Sequence, residues 1–255
     1  PGDELTFLNR SALAISPDGQ TLAVSGYREI LLHKSGGGLI ARLPGLAERI
    51  HSLVFSPDGK TLAAVGFDRK IHLWDVTTGK PSWVLEGLQN GGIRPVFNHS
   101  GDLLASSDWS GTLRLWDPGT GKQVFQTQSV LAHTRFNQDD SLLAGGIDGN
   151  KLRLWEVAAG REYRTIVRGP WNGPTQYEAP SISPDGKLLV SHSVEGVSQL
   201  WDTATLKPAG PVLRHNGVKG KSPKDRWELA DARWSVAFSP DGKLLASAGD
   251  TTVRL

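Results

Sequence analysis

Residues 55–75 read Phe55-Ser56-Pro57-Asp58-Gly59-Lys60-Thr61-Leu62-Ala63-Ala64-Val65-Gly66-Phe67-Asp68-Arg69-Lys70-Ile71-His72-Leu73-Trp74-Asp75, and this stretch decides the fold. It opens on a turn with a mechanism: Pro57 presets φ, Asp58 can close an Asx-type bond, and Gly59 supplies the positive φ that leads into the next strand. Thr61-Leu62-Ala63-Ala64-Val65 follows as a short apolar run bounded by turn residues, the signature of a strand. The stretch closes on a Trp-Asp pair.

Both landmarks recur along the chain. The turn returns as Ile15-Ser16-Pro17-Asp18-Gly19, Ile182-Ser183-Pro184-Asp185-Gly186 and Phe238-Ser239-Pro240-Asp241-Gly242, with degenerate copies at Phe97-Asn98-His99-Ser100-Gly101 and Phe136-Asn137-Gln138-Asp139-Asp140. The fifth positions fall at 19, 59, 101, 140, 186 and 242, at intervals of 40, 42, 39, 46 and 56, which makes six units. The Trp strand returns as Leu113-Arg114-Leu115-Trp116-Asp117, Leu152-Arg153-Leu154-Trp155-Glu156 and Ser198-Gln199-Leu200-Trp201-Asp202, while the first unit carries Ile30-Leu31-Leu32-His33 in its place. Each unit reads as four strands joined by turns, and no long helical pattern is present. An antiparallel sheet of about 40 residues cannot bury both faces alone, so the units must stack on one another.

Composition agrees. The 255 residues include 30 Gly and 15 Pro, suited to a turn-rich fold, and 28 Lys+Arg stand against 26 Asp+Glu for a net charge of +2. With Cys at zero, disulfides, thiolate metal sites and Cys nucleophiles are excluded. No apolar run approaches the ~18 residues needed to cross a bilayer, so a soluble chain without membrane insertion is expected, with the cytoplasm favoured. The absence of Met and the start at Pro1 favour a domain cut from a longer protein.

The Trp-Asp strand ends, the Asp that precedes them and the spacing of the turns resemble the WD-repeat β-propellers. Six-bladed propellers of bacterial translocation and peptidase accessory proteins use Ser-Pro-Asp-Gly turns too, but usually lack Trp-Asp in register. The resemblance implies one all-β domain over residues 1–255, a β-propeller of four-stranded antiparallel blades. Six blades are expected, the last completed by an N-terminal strand at about residues 3–8 in which Leu5 and Phe7 pair with the strand ending at Leu255; a seventh blade is the alternative. It also implies that Trp74, Trp116, Trp155 and Trp201 are structural wedges between blades. The Asp of the second-to-third strand turn maps onto Asp68, Asp148 and Asp250, with Glu195 as a substitute, whereas Tyr27 and Ser110 break the pattern. With the family's partner His replaced by Leu46 and Leu88, these turns are expected to be more exposed or to bind backbone amides instead.

No catalytic constellation stands out. The seven His show no metal-like pairing, Ser lacks the Gly-x-Ser-x-Gly elbow, and Gly36-Gly37-Gly38 has no phosphate-loop context, so neither an enzyme nor a cofactor is expected. The resemblance implies a protein-protein interaction scaffold or regulatory domain, part of a larger bacterial protein. Phe67, Trp109, Ile147 and Val194 precede the turn Asp position and form the expected partner-binding set, joined by Trp171 and Trp227 in two long links between units. The second link sets Arg214, Lys219, Lys221, Lys224 and Arg226 against Asp225, yet the small net charge disfavours nucleic acid. The expected partner is a protein or peptide, and the domain is expected to be monomeric. The alternative is a small-molecule, glycan or ion ligand in a central channel, for which His51, Arg94, His133 and Arg233 are the irregularly placed candidates.

Overall fold

A computed structural model of the chain describes residues 12–26, 28–44, 46–91, 94–128, 134–147, 151–157, 163–167, 177–193, 197–205, 207–214, 235–249 and 252–255. These residues form an all-β protein divided into two compact units, Pro1–Gln128 and Ser129–Leu255. In the first unit, β1 (Leu13–Ile15), β2 (Thr21–Ser25), β3 (Glu29–Lys34) and β4 (Leu39–Pro44) make one sheet, and β5 (Ile50–Phe55), β6 (Thr61–Gly66), β7 (Ile71–Asp75) and β8 (Lys80–Leu85) a second. The third holds β9 (Val96–Phe97), β10 (Leu104–Ser107), β11 (Thr112–Asp117) and β12 (Lys122–Gln128).

In the second unit, the fourth sheet is β13 (Thr134–Phe136), β14 (Leu142–Ile147), β15 (Lys151–Val157) and β16 (Tyr163–Val167). The fifth is β17 (Tyr177–Ile182), β18 (Leu188–Ser193), β19 (Val197–Asp202) and β20 (Leu213–Arg214). The sixth has three strands among the described residues, β21 (Ser235–Phe238), β22 (Leu245–Gly249) and β23 (Thr252–Arg254). Every paired neighbour is antiparallel and consecutive in sequence, as short turns require. The strand expected near residues 3–8, with Leu5 and Phe7, lies outside the described residues.

The repeated turn works through its hydroxyl and its carboxylate together. Ser56 Oγ donates to Asp58 Oδ1 at 2.6 Å and accepts from Thr61 N at 2.9 Å, while Lys60 N donates to the same carboxylate oxygen at 3.0 Å. Gly59 takes φ 72°, where a Cβ would be strained. The copies at Ser16, Ser183 and Ser239 repeat this network. In the degenerate copies an Asn amide replaces the hydroxyl: Leu103 N donates to Asn98 Oδ1 at 2.9 Å, and Leu142 N to Asn137 Oδ1 at 2.8 Å. The turns at 98 and 137 therefore keep their geometry after losing both Ser and Pro.

The turns also register one sheet on the next. A Cβ at Gly59 would touch the Pro17 ring at 3.6 Å, one at Gly101 the Pro57 ring at 3.4 Å, and one at Gly242 the Pro184 ring at 3.4 Å. Behind these contacts the strands alternate between two buried faces. Leu62, Ala64 and Trp74 pack with Ile30, Leu32 and Leu43 of the first sheet, whereas Ala63, Val65, Ile71 and Leu73 pack with Leu104 and Trp116 of the third. In the second unit Ala144 and Leu154 pack with Ile182 and Leu189, and Trp201 joins them partly buried. Trp74, Trp116 and Trp155 are buried between sheets or within them, each contributing the burial of a large apolar ring. The indole of Trp116 donates to Ser106 Oγ at 2.8 Å. The corresponding position in the fourth sheet is Gly145, where a Cβ would lie 3.0 Å from the Trp155 ring, so Trp155 has no such hydroxyl.

Candidate interaction site

The site forms in the first unit, at the end of the second and third sheets that carries the β6–β7 and β10–β11 turns. Gly66 makes it possible. The carbonyl of Arg49 crosses this residue so closely that a Cβ there would lie 2.3 Å from it, a distance only glycine permits. Phe67 N donates to that same carbonyl at 3.2 Å, tying the segment entering β5 to the β6–β7 turn. One residue on, the β5–β6 register slips between Ile50 and Ser52, leaving His51 as the extra residue of a bulge. Bulges re-aim side chains. Here the exposed His51 ring lies 6.2 Å from Phe67 and 6.3 Å from Trp109.

The β10–β11 turn presents Trp109 in a parallel way. Its N–H donates to Gly91 O at 3.3 Å, as Phe67 does to Arg49. A Cβ on Gly91 would sit 3.5 Å from the Trp109 ring and 3.6 Å from the Phe67 ring, so Gly91 forms a floor that both aromatic groups straddle. Phe67 and Trp109 are each 57% exposed. Three aromatic rings from β5, the β6–β7 turn and the β10–β11 turn thus surround one shallow, side-chain-free spot.

A buried and a part-buried carboxylate hold these turns. Asp108, immediately before Trp109, is fully buried and accepts from Arg114 Nη1 at 2.8 Å, Ser110 N at 3.0 Å, Thr112 N at 3.1 Å and Gln89 N at 3.3 Å, and from the Ser110 hydroxyl. Burial pushes its carboxyl up, but the Ser110 hydroxyl, the Arg114 guanidinium and the amides outweigh it and hold the group below its ordinary value. Asp68, immediately after Phe67, accepts from Lys70 N at 3.2 Å and faces His72 Nε2 at 2.6 Å. Its desolvation is likewise outweighed, chiefly by His72, and its carboxyl is also held low.

These contacts revise the expectation for the turn Asp. Asp68 does bind a backbone amide, the second of the two expected outcomes, and its part-buried side chain also meets His72 on β7, which supplies the partner that the link residue Leu46 cannot. Ser110 does not leave its turn without an acid: Asp108, two residues earlier, takes that role and meets Arg114 from the other end. Asp148, Glu195 and Asp250 lie outside the described residues.

Of the residues singled out from the sequence, Phe67, Trp109 and His51 come together. His51, expected with the channel set, lies beside the two expected partner-binding rings. Arg94 is exposed ahead of β9; continuing the pairing of Ala105 with Val96 places it opposite Ser107, two residues before Trp109. Ile147 closes β14 in the other unit, opposite Lys151. Val194, Trp171, Trp227, His133 and Arg233 lie outside the described residues. Asp108, Arg114, Gly66 and Gly91 complete the site and were not selected from the sequence; the Asp-Trp-Ser-Gly run ending three residues before Arg114 is the signal that could have found the first two. Among the described residues no group of His, Asp and Glu could hold a metal ion, and no helix is long and apolar enough to cross a membrane.

A family model described as WD domain, G-beta repeat matches residues 37–75, 80–117 and 230–255. The first two matches each run from the outermost strand of one sheet, β4 or β8, through the third strand of the next, and end on Trp74-Asp75 and Trp116-Asp117. No match is found among curated proteins. WD40 repeats generally mediate protein-protein interaction and generally act as non-catalytic scaffolds. WD40 repeats are thus found at three positions of the chain, the first two on sheets whose third strands end in Trp-Asp, and they support a WD-repeat family.

Proposed function

We propose that the chain is a non-catalytic protein-interaction module whose partner docks on the Phe67, His51 and Trp109 cluster. The observation that carries this reading is the exposure of two large rings, each 57% accessible, held over Gly91 by buried polar anchors. Solvent alone gives no reason to hold a Trp and a Phe outward on turns this rigidly tied, and exposed Trp is a residue type enriched where binding energy concentrates. The reading includes one six-bladed propeller over residues 1–255, its last sheet completed by the N-terminal strand at about residues 3–8. Ile147, Val194, Trp171 and Trp227 extend the partner-binding set in this arrangement.

The test is a pull-down from a lysate of the source organism, comparing the native chain with a Phe67→Ala, Trp109→Ala double variant. The expected result is one or more proteins in the native eluate that the variant loses while its thermal melt stays within a few degrees of native. Equal capture by both forms would remove the cluster from the interface.

A further inference from the structure

From charge and shape at this cluster, and resting on the interaction reading above, we infer that it receives an acidic peptide segment, with one aromatic or large aliphatic side chain seated over Gly91 between Phe67 and Trp109 and carboxylates meeting the arginines at the rim. The seat is defined by the side-chain-free floor. At Gly91 no side chain projects, the backbone does not demand a left-handed conformation, and two rings stand 3.5 and 3.6 Å from where a Cβ would be. An apolar group entering there would touch both rings, and a ring would meet them at the tilted geometries that aromatic pairs favour.

The rim supplies the sign of the partner. Arg69, on the turn two residues beyond Phe67, and Arg94 are exposed, and no ion pair among the described residues neutralises either. Against them the same surface exposes Glu48. The two aspartates of the turns do not offset the arginines: Asp108 is buried against Arg114, and Asp68 is turned into His72. Lys70 is engaged with Glu86 at 2.7 Å. The surface around the rings is therefore net positive even though the two carboxylates beneath it are ionised. Carboxylates are the complement that guanidinium groups recognise with two donors at once.

A peptide fits better than a nucleic acid. The arginines are few and stand around one apolar seat, whereas single-stranded nucleic acid calls for a groove that tracks a backbone and a series of stacking platforms. A chain of net +2 with Glu48 at the same rim provides no such stripe. A cationic side chain on the rings, the other use of an aromatic cluster, would be opposed by Arg69 and Arg94.

The test uses the full chain and synthetic fluorescein-labelled nonapeptides. One alternates Glu and Asp around a central Phe; the others replace the Phe by Ala, or the acids by Lys. An oligothymidylate serves as a separate anionic probe. Fluorescence anisotropy is expected to show the acidic Phe peptide binding at least about tenfold more tightly than either peptide control, with affinity falling as salt is raised. Arg69→Ala with Arg94→Ala should lower affinity about tenfold and flatten the salt dependence, while Trp109→Ala lowers affinity and keeps the salt slope.

Gly91→Val fills the floor and should abolish binding; Gly91→Ala, whose methyl meets both rings at ordinary contact distance, keeps the fold and should weaken binding. Equal or tighter binding of the Lys peptide would overturn the inference, as would tighter binding of the oligothymidylate, or no binding of the acidic peptide by a chain with a native melt. These failures differ from failure of the interaction reading. A lysate protein captured by native chain and lost from the Phe67, Trp109 variant would still stand if it bound without any acidic segment.

Discussion

The β6–β7 and β10–β11 turns solve the same problem from opposite ends. Each must present an aromatic residue outward, Phe67 in one and Trp109 in the other, and each must satisfy a polar side chain two residues before the buried Trp of the third strand, His72 or Arg114. In the first, the carboxylate follows the aromatic residue as Asp68 and meets an imidazole and one amide. In the second, the carboxylate precedes it as Asp108 and reaches a guanidinium, three amides and a hydroxyl. The reason for the difference is steric. The Asp108 position of the second sheet is Gly66, where any Cβ would meet Arg49 O at 2.3 Å. The acid had to move, and with it changed the number of donors it collects. A buried carboxylate with five donors is a stiffer anchor than one with two, so the Trp109 turn should be the more stable of the pair.

The largest expected effect tests that ranking. Asp108→Ala leaves the Arg114 guanidinium buried without its counter-charge, and loss of one partner from such a pair destabilises by about 3–5 kcal/mol. Asp68→Ala strands only an imidazole and one amide; the expected loss is about 1–3 kcal/mol. Urea unfolding of both variants checks the order. If Asp68→Ala proves as damaging as Asp108→Ala, the number of donors is not what separates the turns.

Acid acts on both anchors in the same direction. Both carboxyls are held below the ordinary value of 3.8, so each contributes stability that is complete above that value and lost as pH falls through the lower folded value. The native chain should therefore exceed Asp108→Asn in melting temperature by a constant margin near neutral pH, and the margin should close on acidification below 3.8. A margin that instead grows toward low pH would mean that burial, which pushes the carboxyl up, dominates Asp108.

The unequal anchoring also explains which parts of the molecule were legible in the sequence. The turns and Trp strands were, because their chemistry is local: Ser56, Asp58 and Thr61 close one network within six residues, and Asn98 and Asn137 rebuild it with an amide that can be read as a substitute. Phe67 and Trp109 could be placed by counting back from the turn Asp. His51 could be singled out but not assigned to its neighbours, since the bulge that carries it is a register slip with no residue signature of its own. Gly66 and Gly91 were illegible for a similar reason. Their roles depend on Arg49 O, Phe67 and Trp109, partners brought together by the fold rather than by spacing along the chain.

The smallest expected effect concerns the residue after the turn-Asp position, which Asp68 fills in one turn and Ser110 in the other. In the β10–β11 turn it is Gly111, at φ 81°, a conformation glycine adopts without strain; in the β6–β7 turn it is Arg69, at φ 63°, held in the left-handed region at a cost of about 1–2 kcal/mol for a residue with a Cβ. Arg69→Gly should relieve this, less the extra chain entropy that glycine loses on folding, for a net gain of at most about 1 kcal/mol. The same change removes a rim guanidinium, so the variant should melt higher and bind the acidic Phe peptide more weakly. The two readouts moving in opposite directions is the point of the experiment, because an arginine kept only for packing would lose stability when removed. A lower melting temperature for Arg69→Gly would show that its side chain stabilises the turn, and its strained backbone would then need no partner to account for it.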